Sequence, residues 1–399
     1  MKPILHVWPQ EPQIVEAQLT VSAVVELGEQ RWTLWYRLPG VHQDCLSPNQ
    51  DPFAVATVLM AMKRARQLKI HGTVAPSLLR NLEEFQAIWG SWLPQRLTPV
   101  PMQADVEQEL AVSPPDRPAI ATFSGGVDSC YTAFVHGQGR AGRRQESLQA
   151  GLLIHGLDID LKQTAVFDQA VARSQRILDS LGLPLIAMTT NFRAALDIDW
   201  QMGYATALAS ALMMLQGRFR VGLIPSSYSY SAQRFVAGSN PLSDRWLGSD
   251  GFAIVHDGAA NQRWQKISAI ADWPEAMAHL RVCWEGPQTL YNCGRCEKCI
   301  RTILSLRLLG RELPPCFPEE VTLEAIRRIR VKGGQLGELQ DLLTLAQSQN
   351  VQAAWVRTLA STLRHNRCRN QWADRLAPIK KQWRQLKGTY STRKTLGTL

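Results

Sequence analysis

Residues 124 to 129 read Ser124-Gly125-Gly126-Val127-Asp128-Ser129, and they directly follow the apolar run 118–123, Pro-Ala-Ile-Ala-Thr-Phe. A strand that empties into two glycines and then an Asp-Ser pair at a helix start leaves few folds open. The glycines place no Cβ in the way, so the backbone can come close to an anion. The helix start supplies N–H groups without intrahelical partners and the positive end of the dipole. Ser124 and Ser129 add hydroxyl donors. There is no Gly-Lys-Ser/Thr after a four-residue spacer and no Gly-x-Gly-x-x-Gly. The segment therefore reads as a phosphate cradle of another kind, against the plainer reading of a Gly-rich turn.

The surroundings of the loop predict an α/β unit. Candidate strands are 118–123, 151–156, 185–189 and 221–224, with helical patterns at 163–181 and 203–216. Short apolar strands alternating with helices imply a parallel sheet covered on both faces. Ligands of such sheets sit at the carboxyl ends of the strands. The loop, His155-Gly156 and Pro225–Ser229 all stand at such ends, so one nucleotide and substrate pocket is expected there.

Two proline-rich seams, Ser113–Pro118 and Leu313–Pro318, predict three parts. Residues 1–113 form a smaller α+β domain, with a hairpin of 18–26 and 31–37 and helices at Pro52–Leu68 and Pro76–Trp89. Substrate recognition and homo-oligomer formation are the roles open to it. Residues 117–312 carry the phosphate loop. Residues 318–399 form a helical region: Glu319–Val331, Leu336–Gln347, Val351–Leu363 and a basic tail.

The chain has 399 residues, 45% of them hydrophobic and 20% charged, as in globular proteins that need no membrane. The first residues form no apolar signal region, and the longest apolar stretch, Tyr204–Leu215, is too short to cross a bilayer. A cytoplasmic protein is expected. The net charge is +10, and from Arg364 onward ten Lys and Arg face the single acid Asp374. That tail, with Trp372, Trp383 and Tyr390, suits nucleic acid or another acidic partner. The alternative is a solvated helix face.

Four of the eight cysteines are clustered as Cys283, Cys293, Cys296 and Cys299. Two Cys-x-x-Cys steps sharing a residue put three thiolates on one knuckle, and Cys283 can complete a tetrahedron. Four sulfur ligands imply structural Zn²⁺. Arg295 and Lys298 would offset the charge of a tetrathiolate. An iron–sulfur cluster is the alternative, and disulfides do not suit a cytoplasmic chain. Cys130 follows the loop in a helix and reads as a packing residue.

The Ser-Gly-Gly-x-Asp-Ser pattern resembles the PP-loop of the N-type ATP pyrophosphatases. Together with the cysteine spacing about 155 residues later, it resembles the 7-cyano-7-deazaguanine synthase family. Gln265-Lys266-Ile267-Ser268-Ala269-Ile270 matches a family helix start, Val282-Cys283-Trp284 the segment bearing the first cysteine, and Cys299-Ile300-Arg301 the end of the knuckle. The resemblance covers roughly residues 117 to 310, about half of the chain. It implies an adenine nucleotide alpha hydrolase-like fold that binds ATP and Mg²⁺. Ser124, Gly125, Gly126, Val127, Asp128 and Ser129 would hold the outer phosphates, with His155 and Gly156 at the next strand end. Asp128 would bind Mg²⁺ or cap the helix, and Lys266 would lend a point charge to the phosphates. The implied activity is an AMP- and pyrophosphate-forming ligase that adenylates a carboxylate or amide oxygen and transfers nitrogen to it. Gly238–Trp246 stands where family synthases carry Tyr-Pro-Asp-Cys-Arg. The acceptor class therefore stays wide: a deazapurine-like small molecule, or a protein or tRNA group.

Two other readings share the loop. One is a tRNA-thiolating sulfurtransferase, which needs a catalytic cysteine pair or cluster outside the metal knuckle, a pattern that Cys45 and Cys130 match poorly. The other is a nucleotide-gated binding protein of a defence or biosynthetic system. His155 and His256 each read as packed residues or as catalytic ones. Asp244, Asp250 and Asp257 are carboxylates available to a substrate.

Overall fold

The computed structural model describes residues 2–110, 118–233, 236–283 and 292–394, by backbone alone at 374 and 377–394. Most of the seam at Ser113–Pro118, the residue Trp284, and the side chains of Trp383 and Tyr390 lie outside the described residues.

The N-terminal part alternates buried and outward residues along β1 (Ile4–Pro9), β3 (Gln18–Leu27) and β4 (Gln30–Pro39), while the short β2 (Gln13–Val15) is exposed throughout. Then come α1 (Asp51–Arg64), β5 (Gln67–Val74), α2 (Pro76–Trp92) and β6 (Met102–Glu107). The expected helix over Pro52–Leu68 therefore ends four residues early. From Gln67 the period changes to two, with Leu68 and Ile70 inward and Lys69 and His71 outward, and a strand wins. The hairpin is as expected, with Gly28 at φ +63° in its turn.

The central part supplies β7 (Pro118–Thr122), α3 (Val127–Gly137), β8 (Ser147–His155), α4 (Thr164–Asp179), β9 (Leu185–Thr190), α5 (Phe192–Ala195) and α6 (Trp200–Met213). After them come β10 (Val221–Pro225), β11 (Ala253–Asp257), α7 (Arg263–Ile270), α8 (Pro274–His279) and α9 (Glu297–Leu308). Strand β11 adds a fifth parallel strand to the four expected. Beyond the second seam lie α10 (Leu323–Arg328), α11 (Gly333–Ser348) and α12 (Ala354–Lys394). The helix expected over Glu319–Val331 shrinks to six residues because Thr322 caps it by accepting from the Ala325 N–H. The last expected helix instead continues through the basic tail.

The eleven strands of the described residues belong to one sheet, ordered β11-β10-β7-β8-β9-β4-β3-β1-β5-β6, with β2 on β3. The five central strands are parallel, and β9 meets β4 antiparallel at Tyr36–Thr190 and Arg37–Thr189. The N-terminal part thus extends the parallel sheet of the central unit. One core also crosses the junction: α1, α2 and α6 pack on one face of the sheet. Helices α3 and α7 to α12 share the second large cluster on the other face. The helical C-terminal region is accordingly packed on the central unit.

Asn191 closes the β4–β9 junction. Its side-chain oxygen accepts from the Trp35 N–H at 2.9 Å, and its amide donates to the Thr33 carbonyl at 2.7 Å. Thr190 donates to the Trp35 carbonyl at 2.8 Å. With a shared sheet and core, urea should unfold the described chain in one transition. Asn191→Ala should lower stability by about 1–2 kcal/mol without splitting that transition. Separate melting of the N-terminal part would contradict a continuous sheet.

Candidate active site and metal centre

Strands β7, β8 and β9 step one way across the sheet, and the chain then returns to place β10 and β11 on the other side of β7. That reversal opens a crevice between the carboxyl ends of β7 and β10, the usual ligand position in an open parallel sheet. The loop 124–129 emerges from β7 at this crevice. Gly125 takes φ +70°, which a side chain would strain. A Cβ on Gly126 would lie 3.3 Å from the Ser124 hydroxyl and 3.4 Å from the Arg281 carbonyl. The first helical bond of α3 runs from the Cys130 N–H to the Gly126 carbonyl at 2.9 Å. The N–H groups of Val127, Asp128 and Ser129 thus have no intrahelical acceptor. The two serines fold the loop on itself: the Ser124 N–H donates to the Ser129 hydroxyl at 3.3 Å, which donates to the Gly126 carbonyl at 3.1 Å.

Asp128 points from the first turn of α3 toward two cations. Lys266 donates to one carboxylate oxygen at 3.0 Å and Arg263 to the other at 2.8 Å. Burial pushes the Asp128 carboxyl up, but the charges of Lys266 and Arg263 and the Lys266 hydrogen bond overcome it, holding it at about 2. Lys266 is 2% exposed, so it is no surface lysine. It also donates to the carbonyl of Ser226 at 2.6 Å and to its hydroxyl at 2.9 Å, which uses all three ammonium hydrogens. Ser226 caps β10, so this lysine joins the two strand ends that border the crevice.

More positive charge surrounds the loop. The Arg281 N–H donates to the Gly125 carbonyl at 2.7 Å, and its guanidinium to the Ser124 carbonyl at 3.4 Å. Burial pushes Arg281 down, against the charge of Asp158. Burial and then the charge of Arg263 push Lys298 down. The Arg263 Nε is buried with no hydrogen-bond partner. A buried guanidinium nitrogen without an acceptor, beside N–H groups at a helix start, fits an absent anion.

The other strand-end residues have different surroundings. His155 stacks on Phe167, with ring centroids 4.4 Å apart, and its Nε2 pairs with the Asp160 carbonyl at 2.9 Å. Gly156 takes φ +91°, and a Cβ there would lie 1.9 Å from the Thr190 carbonyl. Both thus hold the turn between β8 and α4 against β9. His256 pairs with buried Asp244 at 2.8 Å, and Asp244 also accepts from Ser239 and the Asn240 N–H. This cluster fastens Gly238–Trp246 onto β11. Asp257 accepts from Thr132 at 2.6 Å, and exposed Asp250 pairs with Arg80. Burial, then Asp128, pushes the Cys130 thiol up, so it stays protonated.

The four cysteine sulfurs lie within 4.8 Å of one another. Cys293 and Cys299 are 4.0 Å apart and Cys283 and Cys296 3.8 Å. Four Zn–S bonds of about 2.3 Å in a tetrahedron put sulfurs about 3.8 Å apart, so the set can hold an ion such as Zn²⁺. Hydrogen bonds from Cys299 pull the Cys296 thiol down against the opposing effect of burial, which favours a thiolate at this position. Asn292 binds the two arms together: its oxygen accepts from the Val282 and Cys283 N–H groups at 2.8 and 3.1 Å. Its amide donates to the carbonyls of Leu280 and Cys316 at 2.8 and 3.0 Å. Arg281 lies two residues before Cys283, so the metal knuckle holds the loop through one short segment. From α9, Arg301 pairs with Glu297 at 3.2 Å and with Glu338 of α11.

Ser226 lies in the Pro225–Ser229 strand end that the sequence places at the pocket, whereas Arg263, Arg281 and Asn292 were not expected from the sequence. Arg263 precedes Lys266 by three residues and could have been found as its helical neighbour. Arg281 and Asn292 have no signal of spacing or composition.

Comparison with protein-family models, curated proteins and solved structures finds no match for this chain. Purified protein should contain one tightly bound metal ion per chain by elemental analysis. Cys296→Ser should lose it and lower stability, and retention of a full equivalent would contradict the four-sulfur site. The second expectation concerns pH. Asp128 is depressed in the fold, so its stabilisation is present above about pH 4 and fades as pH falls through about 2. Asp128→Asn should remove about 2 kcal/mol of that acid-dependent stability, measured by urea unfolding across this range.

Proposed function

We propose that this chain is an ATP-dependent ligase of the PP-loop type, forming AMP and pyrophosphate. The observation that carries the reading is the Ser124–Ser129 loop at the crevice between β7 and β10, with Asp128 bound to Lys266 and Arg263. The donors in the crevice are backbone N–H groups, hydroxyls and cations, which suit the outer phosphates of ATP. The fit extends to Mg²⁺: Asp128 is the carboxylate that the loop offers. When bound, Mg²⁺ would neutralise phosphate charge. Lys266 and Arg263 would then exchange Asp128 for phosphate oxygens, which gives the Arg263 Nε an acceptor.

Within this reading an oxygen of the acceptor, from a carboxylate or amide, attacks the α-phosphorus. The new O–P bond forms as the bond to the β-phosphate oxygen breaks, and pyrophosphate leaves with the electron pair. A nitrogen nucleophile then adds to the activated carbon, the C–O bond breaks, AMP leaves, and the nitrogen gives up a proton. The chain's own part is to align the phosphates and to stabilise charge on the leaving pyrophosphate, with Lys266 and Arg263 nearest to it. Zn²⁺ fits as a structural ion that holds the Arg281 segment over the loop. The sulfurtransferase reading is less favoured, because Cys130 is buried and held protonated.

The test is product analysis with ATP, Mg²⁺ and a panel of acceptors including deazapurine carboxylates, protein termini and tRNA. AMP and pyrophosphate should appear in equal amounts. Asp128→Asn and Lys266→Met should each slow release on the order of 100-fold or more while circular dichroism is unchanged. ADP and phosphate as the products, or no cleavage with any acceptor, would defeat the reading.

A further inference from the structure

A second positively charged site lies in the C-terminal region. Helices α10 and α12 form an open groove of about 520 Å³, lined by Arg327, Arg330, Arg357, Thr358, Ser361 and His365. A buried asparagine ties the walls together. Asn366 accepts from the Val331 N–H at 3.0 Å and donates to the Ile329 and Thr362 carbonyls at 3.0 and 2.8 Å. Arg327, Arg330, Arg357 and His365 are exposed. Arg330 and Arg357 each use a guanidinium nitrogen on nearby backbone carbonyls, which fixes their direction. Among the described residues no carboxylate pairs with Arg327, Arg330 or Arg357, whereas neighbouring Arg328 pairs with Glu324 at 2.6 Å. The groove thus offers guanidinium, imidazole and hydroxyl donors, and no carboxylate lines it.

The positive surface continues from there. Arg364, Arg367 and Arg369 are exposed on α12, as is Trp372 at 63%. The helix runs 41 residues, about 60 Å at the usual rise, and carries the ten basic residues that follow position 363. A single small anion would fill the groove alone. A ligand that uses both groove and helix must carry regularly repeated negative charge over tens of ångströms.

We infer that the α10–α12 groove and the adjoining face of α12 bind the phosphodiester backbone of a nucleic acid. Arg327 and Arg357 would contact phosphates from opposite walls, Ser361 would donate to a phosphate oxygen, and Trp372 offers a stacking surface. The site is separate from the crevice at Ser124–Ser129 and does not rest on the ligase reading.

The experiment is fluorescence anisotropy of the intact protein with labelled RNA and DNA of about 25 nucleotides, single- and double-stranded, between about 50 and 200 mM KCl. At least one form should bind, with affinity falling steeply as salt rises. Arg327→Glu/Arg357→Glu should weaken binding about 10-fold or more and lower the slope of log affinity against log salt by about 2. The milder Arg327→Gln/Arg357→Gln should act in the same direction, with the thermal midpoint unchanged. The inference is overturned if no form binds at the lowest salt or if these variants bind as tightly as the parent chain. It is also overturned if polyglutamate competes as well as nucleic acid, which would assign the groove to an acidic protein.

Discussion

The Lys266 ammonium is the interaction on which the candidate site depends. It is buried, and each of its three hydrogens meets a different acceptor: the Asp128 carboxylate, the Ser226 carbonyl and the Ser226 hydroxyl. An ammonium taken from water is tolerated only where its charge and donors are matched. The match requires the first turn of α3, the end of β10 and helix α7 to meet at one point. These are the elements that border the reversal of the sheet. The same charge keeps Asp128 ionised, and together with Arg263 the pair places a carboxylate and two cations beside a helix start that favours anions.

The cysteine knuckle acts on this site from outside it. Its first arm carries Arg281, whose N–H bonds the Gly125 carbonyl, and Asn292 fixes that arm to the second. Its helix, α9, carries Arg301, which reaches Glu338 on α11. The C-terminal region also meets the crevice side of the sheet at Gly334, where a Cβ would lie 2.2 Å from the Tyr228 ring. A metal ion bound to four sulfurs would therefore stabilise the loop, the knuckle and the helical region together. Such an ion would supply no reacting atom and would only hold a backbone segment against the glycines of the loop.

The sequence made some of this readable and left other parts hidden, for physical reasons. Ser124 to Ser129 are contiguous, so their chemistry and their place between a strand and a helix appear in one short window. The four cysteines are legible for the same reason. Lys266 stood out only through resemblance, because a lone lysine on a helix has no local signature of burial. Arg281 contacts the loop across 157 positions and Ser226 meets Lys266 across 40. Such pairings are made by topology and leave no period in the chain. The proline seam predicts a smaller N-terminal domain, and the pairing of β4 with β9, across about 150 positions, joins its strands to the central sheet. The segment Gly238–Trp246 stands where family synthases carry Tyr-Pro-Asp-Cys-Arg, and what the sequence hides there is the cluster in which buried Asp244 satisfies Ser239, Asn240 and His256.

The central claim is that the crevice at Ser124–Ser129 receives the phosphates of ATP. Amide hydrogen exchange of the intact protein, with and without Mg²⁺ and the α,β-methylene analogue of ATP, tests it most directly. The account predicts slowed exchange across 124–130, where N–H groups at the start of α3 gain acceptors, and across 263–283, which carries Arg263, Lys266 and Arg281. Unchanged exchange in both segments at saturating analogue, or protection confined to other parts of the chain, would contradict it.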